Sequence, residues 1–348
     1  HAKASALYNN VFVLYIMPDD SISNYQLDQF TDGPINTIIV YFRRSRFKYY
    51  NYWKAFLLGW KHIRSHNKID LVHMNVIYPH VWQAIYLKWK HKIPFIVSEH
   101  WHGFQNFKNH KISNLSYRLI KLGFKCAYSI SPVSNNLKQS MINSGFKADY
   151  KVIPNVVDTS LFHMKKKTMD SFTFLHVSTL DDEIKNVSGI IEAFSNLELT
   201  NVNLKVIGDG PNEWIVDKVN EFNLSDKVEI IGTLSHKEIA SAMQDANVFV
   251  LFSNIENLPL VLLESMATGL PIITTKVGGI SEIFDDNKGV MVEPKNIKEL
   301  EEAMNYIYMS YSKYDSATIS KYANDNFSYE KIGNEFDKLY KKAINTVN

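Results

Sequence analysis

Two glutamates, Glu256 and Glu264, flank a junction where side chains could reach a bound ligand. An apolar strand is predicted before them at Val248–Leu251, and a helix is predicted at Leu260–Thr268. Glu256 precedes the helix, and Glu264 lies one to two turns inside it. The spacing alone carries little weight, so the interpretation depends on the chemistry of the junction.

The start of that helix is predicted to bind an anion. Asn257 can cap the helix, Pro259 is tolerated in a first turn, and Gly269 and Pro271 end the helix before the next strand. The turn therefore aims a helix N-terminus at the carboxyl edge of a parallel sheet. Free backbone N–H groups and the positive end of the helix dipole favour a negatively charged ligand there.

A plainer interpretation makes both glutamates solvent-facing carboxylates. This interpretation fits Glu264 poorly, because that residue falls within the apolar stretch Leu260–Met266. It stays open for Glu256 on the residues alone.

Lys185 follows another predicted strand, Phe172–Val177, and a polar loop. A cation at such a place could stabilise negative charge on a bound ligand. Taken alone, Lys185 could also be an exposed loop lysine.

Histidines and paired aspartates raise the question of a metal. His100 and His102 follow the strand predicted at Phe95–Ser98. They could bind a metal together, or they could be ordinary loop residues. Few carboxylates lie nearby at ligand spacing, which disfavours a metal. The pairs Asp181–Asp182 and Asp285–Asp286 are interpreted as solvated loop charges, so the sequence predicts no metal site.

Glycines follow two of the predicted strands. Gly208 and Gly210 would permit a tight turn at the strand end, and Gly278 and Gly279 would let backbone approach a ligand. Glycines at strand ends are common, so neither pair decides a function alone.

The elements that would position these residues alternate between strands and helices. The predicted strands are Asn10–Met17, Thr37–Phe42, Leu71–Met74, Phe95–Ser98, Tyr128–Pro132, Phe172–Val177, Asn203–Ile207, Lys227–Ile231, Val248–Leu251 and Pro271–Thr274. The predicted helices are Tyr52–Arg64, His80–Lys90, Ser113–Lys125, Val187–Phe194, Glu213–Phe222, His236–Ala242, Leu260–Thr268 and Ile297–Met309.

Near-continuous apolar strands between helices indicate parallel sheets covered on both faces. Two such runs are separated near Pro154–Lys167. The sequence therefore predicts an α/β protein of two Rossmann-like domains that face each other across a cleft, at 1–160 and 165–320.

Composition agrees with a globular protein of two domains. The chain has 348 residues, 45% hydrophobic and 21% charged, and no apolar run approaches the roughly 18 residues needed to cross a bilayer. The start lacks a basic region followed by an apolar stretch, and Cys126 is the only cysteine. We therefore expect a cytoplasmic setting, either free or peripheral on the inner face of the plasma membrane.

Charge is unevenly distributed along the chain. Residues 1–160 carry 20 Lys and Arg against 8 Asp and Glu, a net charge of +12, and residues 161–348 carry 18 against 28, a net charge of −10. Arg43–Tyr50 mixes basic and aromatic residues, and Lys111, Arg118, Lys121 and Lys125 recur at helical spacing. An anionic membrane, a nucleic acid or plain solvent could each face such a surface.

The order and spacing of these segments resemble glycosyltransferase family 4, the retaining glycosyl transferases group 1. The resemblance covers about residues 150–290 closely and the first domain more loosely. The segments that carry it are Ser98–Gly103, Pro132–Ser134, Ile153–Asp158, Phe172–Val187, Ile207–Pro211, Ile231–Ser235, Ser253–Pro271 and Val277–Glu282.

This resemblance implies a metal-independent enzyme of the GT-B fold that takes a nucleotide diphosphate sugar as donor and needs no cofactor. Lys185 would hold the leaving diphosphate, Glu264 the ribose hydroxyls, and Glu256 and His100 the donor sugar. The other donor-binding positions would be Asn257, Leu258, Pro259, Leu260, Gly208, Gly210, Ser178, Thr179, Ile231, Gly278 and Gly279. The family also implies that residues 320–348 pack back on the first domain.

The chain departs from the family pattern in several places. Ser178 and Thr179 stand where many members have an arginine that binds phosphate. Asn257–Pro259 stands where glycines are common in the family. Val156 replaces another glycine, and the first domain is expected to lack its opening strand and turn.

The expected activity is sugar transfer to a saccharide or lipid-linked acceptor, in bacterial cell-surface polysaccharide or glycolipid synthesis. Because the resemblance favours a membrane over a nucleic acid, the basic first domain is expected to face an anionic membrane. Three alternatives stay open: a sugar-nucleotide epimerase of the same fold, a donor-binding fragment without transfer activity and, more remotely, a nucleic-acid binder.

Overall fold

The computed structural model describes residues 1–105, 107, 112–165, 171–209 and 213–346. We refer to the elements from α1 to α5, with strands β1 to β6 among them, as the first domain. Its strands are β1 (Val11–Pro18), β2 (Gln26–Asp32), β3 (Ile35–Phe42), β4 (Val72–Asn75), β5 (Phe95–Glu99) and β6 (Ser129–Pro132). Its helices are α1 (Ala2–Ala6), α2 (Lys48–His66), α3 (Val81–His91), α4 (Asn114–Cys126) and α5 (Asn135–Asn143).

We refer to the elements from β7 to α11 as the second domain. Its strands are β7 (Phe172–Thr179), β8 (Val202–Asp209), β9 (Val228–Ile231), β10 (Val248–Leu251), β11 (Ile272–Thr275) and β12 (Gly289–Val292). Its helices are α6 (Asp182–Lys185), α7 (Val187–Ser195), α8 (Glu213–Glu221), α9 (His236–Asp245), α10 (Leu260–Ala267) and α11 (Ile297–Met309). Two more helices follow, α12 (Ser316–Phe327) and α13 (Tyr329–Asn345).

The first domain contains two three-stranded sheets. One has the parallel order β4-β5-β6, as predicted, and the other has the order β1-β3-β2. In the second sheet β1 and β3 are parallel, but β2 runs antiparallel to β3, so the prediction of purely parallel strands was wrong here. The physical reason is a hairpin: Gly33 and Pro34 form the two-residue turn between Asp32 and Ile35, with Gly33 at φ +57°.

The second domain is built on one parallel six-stranded sheet in the order β12-β11-β10-β7-β8-β9. Every residue of β10 and β11 is buried, which explains their continuous apolar or small polar composition. Two apolar clusters cover the two faces, one around Phe174 and Ile190 and the other around Leu175 and Leu263. The carboxyl ends of β7, β10 and β11 therefore share one edge, where α6 and α10 begin.

The end of the described chain connects the two domains. Val157 donates its backbone N–H to the Phe327 carbonyl oxygen at 2.9 Å, where the chain passes between the domains. Helix α13 packs Phe336 and Tyr340 against Ile96 of the first domain. Within the described residues, none of the helices combines the length and the apolar character needed to cross a bilayer.

Candidate functional site

Glu256 and Lys185 meet at the carboxyl edge of the second sheet. Lys185 Nζ lies 2.5 Å from Glu256 Oε1, and both side chains are largely buried, at 15% and 9% exposure. Ser253 donates its hydroxyl to the same carboxylate oxygen at 2.9 Å. Lys185 and Glu256, which are 71 positions apart in the sequence, therefore form one ion pair at this edge of the sheet.

Asn254 holds the turn that carries Lys185. Its backbone N–H donates to the Ile184 carbonyl oxygen at 2.7 Å, and its Nδ2 donates to the Glu183 carbonyl oxygen at 2.9 Å. These two bonds fix the α6 turn to the segment that follows β10. Sequence reasoning missed Asn254 and Ser253, although both stand within three residues of Glu256.

The start of α10 differs from the predicted cap. Pro259 occupies the N-cap position without a side-chain bond, and Asn257 points elsewhere. The predicted capping role of Asn257 was wrong, because its amide Nδ2 donates to the His100 carbonyl oxygen at 2.6 Å. Among the described residues, nothing accepts a hydrogen bond from the N–H groups of Leu258 and Leu260. The helix start therefore still offers donors to an anion.

Glu264 lies in the second turn of α10 with a half-buried carboxyl group. Burial raises the pKa of this carboxyl to about 7. Within the described part of the chain, no side chain or backbone group bonds to it. A desolvated acceptor without a protein partner is available to hydroxyl groups of a ligand.

His100 is held from three sides at the end of β5. Its backbone N–H donates to Glu99 Oε1 at 3.0 Å, and its ring Nδ1 lies 3.1 Å from Asn155 Oδ1. Its carbonyl oxygen accepts the bond from Asn257 described above. Burial is the main cause that lowers the pKa of His100 to about 4, so the ring is neutral near pH 7.

Glu99 supports this loop from the core. Its carboxylate is fully buried and accepts backbone N–H groups from Ile77, His100 and Trp101 at 2.9 to 3.0 Å. Burial raises the pKa of Glu99 to about 7 despite these bonds, which act in the opposite direction. In the sequence Glu99 stands inside the segment Ser98–Gly103, and its residue type alone does not indicate a buried supporting role.

His102 does not join His100 in a metal pair. It is exposed in the short 3₁₀ helix His102–Phe104 that follows. In the part of the chain that the structure describes, no three His, Cys, Asp or Glu side chains cluster in a way that could hold a metal ion.

Several contacts join the two domains directly beside this site. Gln105 of the first domain donates through Nε2 to the Glu256 carbonyl oxygen, and also to Asn257 Oδ1 at 2.6 Å. Leu258 is 3% exposed and packs into the core cluster of the first domain. The segment from Glu256 to Leu258 therefore touches both sides of the cleft.

Gly278 and Gly279 lie against this same segment. Gly278 has φ +56°, and a Cβ there would lie 1.9 Å from the Glu256 carbonyl oxygen. Gly279 donates its N–H to the Asn257 carbonyl oxygen at 2.7 Å, and a Cβ there would meet Ser134 of the first domain. The contacts that explain these glycines are therefore with protein backbone and Ser134, whereas the sequence suggested a ligand.

Two protein-family models match this chain. Residues 7–161 match the family model for Glycosyltransferase Family 4, and residues 159–324 match the model for Glycosyl transferases group 1. The two matches adjoin near residue 160 and together run from residue 7 to residue 324. The chain belongs to glycosyltransferase family 4.

Two relatives and a solved structure illustrate the similarity. The chain is 32% identical over 157 residues to one component of the human phosphatidylinositol N-acetylglucosaminyltransferase, which covers 44% of this chain and 32% of that protein. It is 24% identical over 255 residues to N-acetyl-alpha-D-glucosaminyl L-malate synthase of Bacillus anthracis, covering 69% and 65%. The match thus spans about a third of the length of the human relative.

The solved structure is Anabaena HepE in complex with UDP-glucose. It superposes with a TM-score of 0.71 at 19% identity, covering 87% of this chain and 86% of that one. This likeness establishes the fold, so the predicted GT-B architecture of two Rossmann-like domains is confirmed.

Ser178 and Thr179 stand where the resemblance to the family led us to expect a phosphate-binding arginine. Ser178 Oγ lies 2.7 Å from Nε2 of the buried His176 and 3.1 Å from the Thr179 carbonyl oxygen, so its hydroxyl is bonded within the protein. Thr179 is exposed at the end of β7. Thr179 is therefore the one of the two that faces solvent.

The structure agrees with only some of the predictions for the remaining donor-binding residues. Gly208 lies inside β8, not in a turn, and a Cβ there would lie 2.1 Å from the Ser178 carbonyl oxygen. The predicted turn role of Gly208 was therefore wrong, and close strand packing is its physical reason. Gly210 lies outside the described residues. Ile231 ends β9 and packs partly buried against the second domain's core.

The basic surface of the first domain is solvent-exposed. All of Arg43–Tyr50 is exposed, including Tyr49 at 80%. Arg118, Lys121 and Lys125 are exposed on α4, and Lys111 lies outside the described residues. These cations are available to an anionic partner.

Proposed function

We propose that this family 4 chain is a retaining, metal-independent glycosyltransferase that moves a sugar from a nucleotide diphosphate sugar to an acceptor hydroxyl. The observation that carries the proposal is the buried Lys185–Glu256 pair, set beside the start of α10. A cation, backbone N–H groups and two carboxylates there match the anionic and hydroxyl-rich parts of a sugar nucleotide.

The diphosphate, the ribose and the sugar of the donor would each have a partner in this arrangement. Lys185 and the N–H groups of Leu258 and Leu260 would neutralise the diphosphate, a task that a metal ion performs in other enzymes. Glu264 would accept hydrogen bonds from the ribose hydroxyls. Glu256 and His100 would position the sugar.

The proposed reaction exchanges one bond at the anomeric carbon. The bond to the diphosphate oxygen breaks and its electron pair leaves with the nucleoside diphosphate. The acceptor oxygen forms the new glycosidic bond on the same face, and the hydroxyl proton is released. Because Glu256 is already paired with Lys185, we assign no protein nucleophile.

The donor proposal has support in a structural relative. HepE, which shares the fold, was solved with UDP-glucose. Asn257–Pro259 replaces the glycines that many family members carry, so we expect these residues to influence which sugar is accepted.

The acceptor proposal rests on charge. The exposed basic and aromatic residues of Arg43–Tyr50 and the cations of α4 suit an anionic membrane surface and a lipid-linked or saccharide acceptor. The human relative is named for transfer to phosphatidylinositol, which is such an acceptor class. We therefore propose polysaccharide or glycolipid synthesis at the cytoplasmic face of a membrane.

We also propose the division into residues 1–160 with 320–348 as the acceptor side and 165–320 as the donor side. The contacts of α13 with Ile96 support this division, because they return the end of the chain to the first domain.

The test is a thermal-shift screen against a panel of sugar nucleotides, followed by product analysis with the stabilising donor. Sugar transfer to a saccharide or lipid acceptor with the donor's anomeric configuration, read by proton NMR, is the expected result. An altered free sugar formed without acceptor would instead identify an epimerase. Stabilisation without any product would identify a donor-binding protein, and salt-dependent retention on DNA would favour a nucleic-acid binder.

A further inference from the structure

Asn155 lies between the two domains and bonds to both. Its Nδ2 donates to the Leu258 carbonyl oxygen of the second domain at 2.6 Å, and its Oδ1 lies 3.1 Å from Nδ1 of His100 in the first domain. A carbonyl oxygen can only accept, so the bond to Leu258 fixes which end of the amide is the NH₂ group. The other end, the oxygen, must then face His100.

This orientation determines the protonation of the His100 ring. An amide oxygen can only accept a hydrogen bond, so Nδ1 of His100 must carry the hydrogen. In the neutral ring Nε2 is then an acceptor with a free lone pair. The backbone N–H and carbonyl of His100 are already bonded to Glu99 and Asn257, so Nε2 is the polar group left for a ligand.

We propose that Asn155 is a positioning residue that sets the Nδ1–H tautomer of His100 through the second domain, so that closure of the cleft makes Nε2 an acceptor for a sugar hydroxyl. The identity of that hydroxyl as part of the donor sugar rests on the proposed function. The tautomer itself rests only on the contacts of Asn155.

The Nδ1–H tautomer of His100 also explains how the site distinguishes the sugar hydroxyls from the diphosphate. An unprotonated Nε2 attracts a hydroxyl hydrogen and repels phosphate oxygens. The diphosphate is therefore directed to Lys185, and the sugar to His100. When the second domain moves away, Asn155 loses the Leu258 carbonyl that orients it, and the tautomer is no longer fixed.

Other titratable groups surround His100. The His1 ring lies 5.0 Å away between centroids, the carboxylate of Glu99 bonds the His100 backbone, and the charges of His73 and of the first amino group also reach it. None of these donates to or accepts from Nδ1 of His100, so the tautomer is assigned to Asn155.

The experiment is nitrogen NMR of the full chain labelled at histidine, with the His100 signals identified by their loss in His100→Gln. The wild type is expected to show a protonated Nδ1 and an unprotonated Nε2 at pH 7. Asn155→Ala should give a mixture of both tautomers. Asn155→Asp should raise the pKa of His100 by at least one unit, because a carboxylate then faces the ring.

A matched control is Asn326→Ala. Asn326 also donates its Nδ2 to a carbonyl oxygen, that of Tyr322 at 2.8 Å, but within α12. It should leave the His100 signals unchanged. An Nε2–H tautomer in the wild type, or a wild-type tautomer retained in Asn155→Ala, would overturn the proposal.

Activity supplies a second readout that a merely structural role would not move. In Asn155→Asp the acidic limb of the kcat/KM profile should shift to higher pH by at least one unit, since protonated His100 loses its acceptor. If no sugar is transferred at all, the NMR result on the ligand-free chain still decides the tautomer. Failure of the proposed function is thereby distinguished from failure of this inference.

Discussion

Glu256 and Glu264 occupy opposite environments within nine residues of sequence. Glu256 is bonded to Lys185 and Ser253, whereas Glu264 has no partner within the described residues. Glu256 is therefore compensated inside the protein. The carboxyl of Glu264 is desolvated and has no partner among the described residues, which lowers the free energy of unfolding. Such an unpaired acceptor suits a residue that binds a ligand.

The pKa of Glu264 yields a test of that cost. A carboxyl whose pKa is about 7 in the folded chain, against an ordinary 4.5, binds its proton more tightly when folded. Its contribution to stability is therefore complete below pH 4.5 and is lost as pH rises through 7. Glu264→Gln should unfold with a free energy about 1–3 kcal/mol above wild type at pH 8, by denaturant titration, and the difference should vanish near pH 4.

The exposed Glu302→Gln on α11 is the matched control and should show no pH-dependent gain. Equal stability of wild type and Glu264→Gln at pH 8 would mean that the carboxyl is compensated by a partner.

The main titratable residues of the candidate site could be predicted from the sequence, but the amide side chains that support them could not. Glu256, Lys185 and His100 were found because each stands after a strand in a motif. Gln105 and Asn155 lie 151 and 103 positions from the carbonyl groups that they bind, and an amide in a loop has no local signature. Only the assembled fold brings them together.

At the scale of elements, the loop after β11 supports the turn after β10. Gly278 approaches the Glu256 carbonyl so closely that no side chain fits, and its φ of +56° favours glycine independently. The two loops therefore position Glu256 as one unit.

Gly278→Ala should damage donor binding through this contact. The left-handed φ alone costs about 1 kcal/mol, and the clash with Glu256 should add about 1–3 kcal/mol by displacing the turn. We expect at least a tenfold loss of affinity for a sugar nucleotide, measured by thermal shift, together with lower stability.

Gly33→Ala is the matched control for the backbone. Gly33 has nearly the same φ of +57°, but a Cβ there meets nothing within 4 Å. It should show the conformational cost without loss of binding. If the two variants behave alike, the contact between Gly278 and Glu256 does not support the site.

Strand β10 and helix α11 were predicted closely. The bounds of β10 and α11 agree with prediction, because a continuous apolar strand and a long amphipathic helix are each unambiguous. The antiparallel β2, the short β12 and the helices α5, α12 and α13 were missed. Most of β2 is exposed, so it lacks an apolar run. The local sign of the hairpin is the Gly33–Pro34 turn between β2 and β3.

At the scale of the whole molecule, closure of the cleft relies on polar contacts made across it. Glu282 of the second domain accepts the backbone N–H groups of Asn135 and Asn136 at 2.8 and 2.6 Å, at the start of α5. A carboxylate at a helix N-terminus contributes about 1 kcal/mol. The net charges of +12 and −10 on the two parts of the chain also favour approach.

This arrangement could be anticipated only in outline. Alternating strands and helices predicted two facing domains, but Glu282 was quoted only as part of a motif. Its partners are backbone N–H groups, which any residue type could supply, so no sequence pattern reveals them.

The central claim is that one cleft binds a nucleotide diphosphate sugar through Lys185 and Glu264. Calorimetric titration with the donor selected by the screen tests it most directly, using wild type, Lys185→Ala, Glu264→Ala and the control Glu302→Ala. We predict saturable binding to wild type and control, and no detectable binding to Lys185→Ala or Glu264→Ala. Unchanged affinity in both site variants would contradict the account.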